Sequence, residues 1–328
     1  MRAVLRGAAE EDAGGGQVSL HPQVVQVLER AAKSPLPQLH EVPAHVARRI
    51  YRDTRAALSP RPPEVAEAKL LLAPGPVALR AYRPADTRPA EELPALVYFH
   101  GGGWVIGDLD THDVLCRQLA NGARCAVYSV DYRVGPEFPF PAAVEDCVTA
   151  TRFVAERHKQ VAVGGDSAGG NLATVVALQA RDHGGPRIAY QLLIYPATDQ
   201  RMQHPSIRKN GEGYLLTKKS MDYFQAQYLP RKEDRVHWRA SPLLAPRLAG
   251  LPPAHVITAG YDPLLDEGRE YAARMAQEGV EVTYREYADM VHGFILFGGV
   301  IDTANAAVAE CCEKLRGCWQ KEAHVVPQ

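Results

Sequence analysis

The spacing of apolar residues changes along the chain, and each change marks an element. Across residues 22–58 apolar positions recur at helical spacing, as in Val24, Val25, Val27, Leu28 and Ala32. That spacing predicts two helices, broken near Ser34-Pro-Leu-Pro37, where two prolines cannot continue a helix. Short runs rich in Val, Leu, Ile and aromatic residues follow. They predict strands at 77–82, 95–99, 126–130, 161–163, 192–195, 256–259 and 282–287, with helical runs between most of the later ones. One helix is expected over 171–180. Strand–helix alternation of this kind predicts an α/β fold, a mostly parallel twisted sheet flanked by helices on both faces.

One stretch breaks the rhythm. Residues 199–244 are polar and aromatic-rich, lie between two strand units and contain a helical pattern over 215–229. An excursion of that length inside a compact domain is expected to be a functional insertion. The chain then divides into a tail (1–17) whose small and charged residues predict disorder, N-terminal helices (18–60), a core in two pieces (61–198 and 245–328) and the insertion.

Candidate chemistry sits at the ends of the predicted strands. An apolar run meets Gly165-Asp-Ser-Ala-Gly169 and a helix follows, which is the strand–turn–helix setting of a G-x-S-x-G nucleophile elbow. Ser167 is the nucleophile in that reading. Upstream, strand 95–99 runs into His100-Gly-Gly-Gly-Trp104, an HGGG-type loop. The backbone N–H groups of Gly101, Gly102 and Gly103, with that of Ala168, are the expected oxyanion donors. Asp262 follows strand 256–259, at the strand end where open α/β sheets place ligands. Asp266 and Glu267 belong to the next helix, where first-turn acids are favoured by the dipole. His292 lies in a loop expected over 288–294 and completes the chain order Ser…Asp…His. Activation of a serine hydroxyl by an adjacent histidine, itself oriented by a carboxylate, is acyl-transfer chemistry.

These stretches, with Asp131-Tyr-Arg-Val-Gly-Pro-Glu137, Phe140-Pro-Ala-Ala-Val-Glu-Asp146, Gly165-Asp-Ser-Ala-Gly-Gly-Asn-Leu172, Tyr261-Asp-Pro-Leu264 and His292-Gly-Phe294, resemble the bacterial hormone-sensitive-lipase family of carboxylesterases. The resemblance implies an α/β-hydrolase fold, a Ser167–His292–Asp262 triad, and a cap in which residues 18–60 pack with 199–244 over the active site. Met221, Tyr223 and Phe224 are then candidates to line a substrate pocket, although their helical spacing suits ordinary packing inside the cap equally well. His100, Trp104, Glu137, Glu145 and Asp166 recur in the motifs and are expected to brace the oxyanion loop and the elbow. The implied substrate is a short to medium acyl ester, with an aryl amide cleaved by the same triad as the alternative. A non-catalytic receptor of this family carries a disrupted triad, whereas all three residues stand here.

Composition narrows the partners. The formal net charge is −1 and no basic stripe occurs, so no nucleic-acid partner is expected. No apolar run reaches the ~18–20 residues of a membrane span. The N-terminus lacks the ~7–15-residue apolar core of a signal peptide, so a cytoplasmic location is expected. Six cysteines stand without a C-x-x-C pair, and no H-E-x-x-H or dinucleotide fingerprint occurs, so neither metal nor cofactor is expected. A strand near Val282 with a free edge would suit a homodimer, and a monomer is equally compatible.

Overall fold

The computed structural model describes residues 18–75 and 77–323. The tail expected to be disordered, 1–17, lies outside the described residues. Eight strands of the described residues form one sheet: β1 (Glu67–Leu72), β2 (Ala78–Arg83), β3 (Ala95–Phe99), β4 (Ala126–Asp131), β5 (Val161–Asp166), β6 (Tyr190–Ile194), β7 (Ala254–Tyr261) and β8 (Val282–Val291). Their spatial order is β1-β2-β4-β3-β5-β6-β7-β8. β2 pairs antiparallel with both β1 and β4, and every pairing from β4 to β8 is parallel.

The central strands are buried on both faces, which is why they read as continuous apolar runs. Along β3, Ala95, Val97 and Phe99 join the core on one face while Leu96 and Tyr98 join the other. Helices α4 (Ala142–Ala155), α5 (Ala168–Asp182) and α8 (Leu265–Gln277) cover the first face. Helices α1 (Pro22–Ala32), α3 (Asp113–Ala123) and α9 (Asp302–Ala323) cover the second.

The register places the chemistry. Phe99 of β3 pairs with Gly165 of β5, so the glycine loop and the elbow leave the sheet side by side. Tyr261 of β7 pairs with Val291 of β8, so the next residues, Asp262 and His292, also emerge as neighbours. A register shift lies between Ala259 and Tyr261, where a Cβ on Gly260 would stand 2.1 Å from the Ala288 carbonyl oxygen. This irregularity lets β8 continue to Val291. The loop expected over 288–294 is correspondingly shorter.

Three other features of the structure differ from the sequence reading. β1 carries no alternating pattern because it is a solvated edge, with Leu70 and Leu72 exposed, and no periodicity announces it. The helix break runs from the end of α1 to the start of α2 (Ala44–Leu58), with a short 3₁₀ turn at Leu39–Glu41 inside it. The helix expected over 215–229 is α7 (Lys218–Tyr228): Thr217 caps it by accepting from the Ser220 N–H at 3.2 Å. A short helix, α6 (Pro205–Lys209), precedes it. The N-terminal segment and the insertion meet in a small apolar cluster, in which Ala44, Ala47 and Tyr51 of α2 pack with Val105, Ile106 and Phe224.

Candidate active site

Ser167 stands between β5 and α5 with φ +56° and ψ −117°, a conformation side chains rarely adopt. Its N–H donates to the Ile194 carbonyl at 2.9 Å, which ties the turn to β6. The flanking glycines are sterically required. A Cβ on Gly165 would lie 2.4 Å from the Phe99 carbonyl oxygen, and one on Gly169 only 1.8 Å from the same atom. β3, β5 and α5 therefore close on one another only without side chains at these positions.

The hydroxyl of Ser167 lies 2.9 Å from His292 Nε2, and His292 Nδ1 lies 2.7 Å from Asp262 Oδ2. Asp262 is fully buried, its Oδ1 accepts from the Leu264 N–H at 2.8 Å, and its carbonyl accepts from Asn210 Nδ2 at 3.0 Å. The carboxylate is thus fixed before it meets the imidazole. The other acids near it are engaged elsewhere. Asp266 accepts from the Ser206 N–H at 2.8 Å, and Glu267 accepts from the Thr198 and Asp199 N–H groups at 2.7 and 3.2 Å.

The three loop glycines divide. Gly101, grouped with Gly102 and Gly103 as an expected oxyanion donor, sends its N–H to Asp166 Oδ1 at 3.0 Å. Gly102 and Gly103 face the cavity beside Ser167, with no acceptor for their N–H groups among the described residues. Asp166 also accepts from the Tyr98 hydroxyl at 2.8 Å and stands 3.1 Å from His112 Nε2. Burial alone would raise its pKa, yet His112 beside it and the bonds from His112 and Tyr98 hold it below the ordinary carboxylate value. A buried anion therefore pins the start of the glycine loop to the end of β5. His100 is buried and stacked on Tyr132 at 4.2 Å, and burial pushes its pKa down to about 4, so it is neutral at neutral pH.

A family model described as α/β-hydrolase fold matches residues 96–296. The chain belongs to the α/β-hydrolase fold family. It is 45% identical over 243 residues to Esterase LipI of Mycobacterium tuberculosis, covering 71% of this chain and 75% of that one. It is 35% identical over 318 residues to an ethyl acetate hydrolase of Pseudomonas putida, covering 91% and 99%. Among solved structures, LAE6, an α/β-hydrolase enzyme from the metagenome of Lake Arreo, superposes with a TM-score of 0.88 at 40% identity, over 92% of this chain and 99% of that one. The family resemblance drawn from the motifs therefore holds across nearly the whole described chain.

Within this hydrolase frame the cavity over Ser167 encloses about 120 Å³ and takes its walls from both cap segments. Met221 and Phe224 line it, and Tyr223 does not. Residues three and four apart share a helix face, so Met221, Phe224 and Gln225 point inward while Tyr223 lies off that face. The Tyr223 hydroxyl donates to the Val42 carbonyl at 3.1 Å, a cap-to-cap tie. Phe224 packs directly on the loop: a Cβ on Gly103 would stand 2.4 Å from its Cγ.

Of the residues expected to brace the site, Trp104 stacks on Tyr228 at 4.7 Å. Glu137 accepts from Arg48 Nη1 at 2.9 Å, and Arg48 Nε donates to the Val105 carbonyl at 2.8 Å, which steadies the loop after its glycines. Glu145 is exposed on α4 and its carboxylate pairs, among the described residues, with Arg133 alone, at 3.8 Å, so it braces neither loop nor elbow. The sequence reading missed Arg55, Glu267 and His112. Glu267 is fully buried in the cavity wall, and burial raises its pKa well above the usual carboxyl value. Its place in a first helical turn gave a sufficient surface explanation and hid the burial.

Proposed function

We propose that this protein is a serine carboxylesterase acting on small acyl esters. The observation that carries the proposal is the chain of contacts from Asp262 through His292 to Ser167, 2.7 and 2.9 Å long, on a strained turn that exposes the nucleophile. Relatives named esterase and ethyl acetate hydrolase support the same reading.

His292 Nε2 takes the Ser167 proton as Oγ bonds to the ester carbonyl carbon. Asp262 holds the Nδ1–H tautomer and stabilises the imidazolium. The carbonyl oxygen, now anionic, is met by the N–H groups of Gly102, Gly103 and Ala168. Loss of one such donor typically costs ~2.7–4 kcal/mol of transition-state stabilisation. As the tetrahedral species collapses, the C–O bond breaks and His292 gives its proton to the departing alcohol. Water then attacks the acyl-enzyme by the same route, releasing the carboxylic acid and restoring Ser167.

The cavity supports short acyl groups. About 120 Å³ beside Ser167, walled by Met221, Phe224 and Leu216, suits a compact ester better than a long fatty chain. The test is hydrolysis of chromogenic esters from acetyl to hexadecanoyl, with an acetanilide beside them, by the intact protein and by Ser167→Ala. A maximum at short chains is expected, with kcat lowered by about 10⁴-fold or more in the variant. Faster cleavage of the anilide would move the reading to amides, and no turnover of any ester by the intact protein would overturn it.

A further inference from the structure

The cavity wall holds four acidic or basic residues besides His292: Arg55, Asp166, Asp199 and Glu267. The three acids are engaged. Asp166 is bound to Gly101, Tyr98 and His112. Asp199 accepts from Arg201 Nη2 at 2.7 Å and pairs with His204 Nε2 at 3.2 Å. Glu267 holds two backbone N–H groups on Oε1, while its Oε2 is buried without a partner among the described residues. Arg55 is different. Its Nε is buried without a hydrogen-bond partner, and its guanidinium makes no ion pair among the described residues.

What fixes Arg55 is aromatic. It lies one helical turn after Tyr51 on α2, with Cζ 4.6 Å from the Tyr51 ring centre and 4.6 Å from that of Phe297. Stacking on rings engages the faces of a guanidinium; the Tyr51 hydroxyl beside it engages one in-plane donor, and no carboxylate engages the others among the described residues. The terminal nitrogens lie 3.6 and 4.0 Å from where a Cβ on Gly293 would stand, next to His292 in sequence. His292 must pass its proton to the departing alcohol, so the alcohol part of the ester leaves on this side of Ser167. A ring-stacked guanidinium with no carboxylate partner among the described residues therefore stands at the alcohol end of the cavity. Its planar fork matches a carboxylate.

We propose that Arg55 is a specificity-determining residue that recognises a carboxylate on the alcohol portion of the substrate, so that the preferred esters are acylated hydroxy acids. The proposal rests on the serine esterase reading above. The cavity's acids do not oppose such an anion: Asp166 and Asp199 face cationic or donor partners, and Glu267 is held toward its neutral form by burial. Neutral aliphatic alcohols would leave the guanidinium unpaired and gain nothing from it.

The experiment compares 3- and 4-acetoxybenzoate with the corresponding acetoxybenzamides, each rate divided by that of its hydroxide-catalysed hydrolysis to remove differences in leaving-group reactivity. The intact enzyme is expected to favour the carboxylates by about 10- to 100-fold in kcat/KM, mainly through KM, the range of a charge-assisted hydrogen bond. Arg55→Gln should abolish that ratio, and Arg55→Lys should restore part of it. Competitive inhibition of the intact enzyme by 4-hydroxybenzoate should likewise be at least tenfold stronger than by 4-hydroxybenzamide, a readout independent of any variant's folding. Ser167-dependent turnover of the amides with no preference for the carboxylates would overturn the role of Arg55 and leave the esterase reading intact. A preference that survives in Arg55→Gln would also overturn it. Failure to cleave any of the four esters while a chromogenic acetyl ester is cleaved would overturn the role of Arg55 alone; failure on both sets would overturn both readings.

Discussion

The elbow and the cap form facing walls of one cavity, and they are held by different means. At the elbow, backbone meets backbone: Gly165 and Gly169 lie against the Phe99 carbonyl, and Ser167 is bonded to β6. In the cap, side chains meet side chains. Phe224 rests on Gly103, Tyr223 ties to Val42, and part-exposed Arg48 pairs with Glu137. Surface pairs of the last kind contribute about 0–1 kcal/mol, whereas a backbone clash in the elbow has no neighbour able to yield. The difference separates two jobs. On the proposed esterase reading, the elbow fixes the reacting atoms and the cap selects which molecules reach them.

The largest expected effect belongs to the frame. Asp262→Asn keeps an acceptor for the Leu264 N–H but turns an amide toward His292 Nδ1, which selects the wrong tautomer. We expect kcat to fall by about 10⁴-fold with little change in the urea midpoint. A loss under tenfold would mean that the buried acid is structural. Acid comes next and separates the two regions by sign. His100 in the glycine loop and His255 in β7 are buried, and burial depresses each to about 4. Between pH 6.5 and about 4 the unfolded chain binds protons that the folded protein refuses, so stability falls as pH falls through that window. At pH 4.5 the loss should approach about 2–3 kcal/mol for each histidine relative to pH 7. His204, at the root of the insertion, behaves oppositely. Its bond to Asp199 raises its pKa, so its contribution is complete below the unfolded value and is lost as pH rises through the folded one. Urea titrations at pH 4.5, 6 and 8, with His255→Gln and His204→Gln, would show the first variant flattening the acid arm and the second the alkaline arm. An acid arm unchanged in His255→Gln would show that this burial carries no proton linkage.

The same division explains what could be read from the sequence. The frame is legible because each requirement falls within a few adjacent residues: a glycine on either side of Ser167, three glycines after a strand, an acid and a histidine just past strand ends. Sheet register then brings these pieces together, and register is set by apolar strands that the sequence also displays. The cap is less legible because its contacts join residues far apart in the chain. Arg55 meets Phe297, and nothing near either residue announces the other. The family resemblance makes Met221, Tyr223 and Phe224 alike pocket candidates, and helical phase separates Tyr223 from the other two. Gly101 was grouped with its neighbours although Asp166, sixty-five positions later, claims its N–H. β1 was invisible because an edge strand exposed on most positions has no periodicity to show.

Two glycine substitutions test the contrast directly. A methyl group at Gly169 would lie 1.8 Å from the Phe99 carbonyl oxygen and 2.5 Å from its carbon, both part of β3. Neither atom can move without disturbing the glycine loop that follows it. Gly169→Ala should therefore cost about 3 kcal/mol, at the upper end for overpacking, and should lower kcat as the loop shifts. Gly213, in the cap between α6 and α7, has φ +85° and no atom within 4 Å of where a Cβ would stand. There the methyl group meets open space, and the cost is only that of holding alanine in a left-handed conformation, about 1 kcal/mol. Gly213 precedes Leu215 and Leu216, which line the cavity, so any kinetic effect should appear in KM rather than kcat. Urea midpoints and steady-state kinetics on the two variants decide the matter. Equal costs would mean that the cap is packed as tightly as the elbow. A loss of kcat in Gly213→Ala would mean that the cap also positions the reacting atoms.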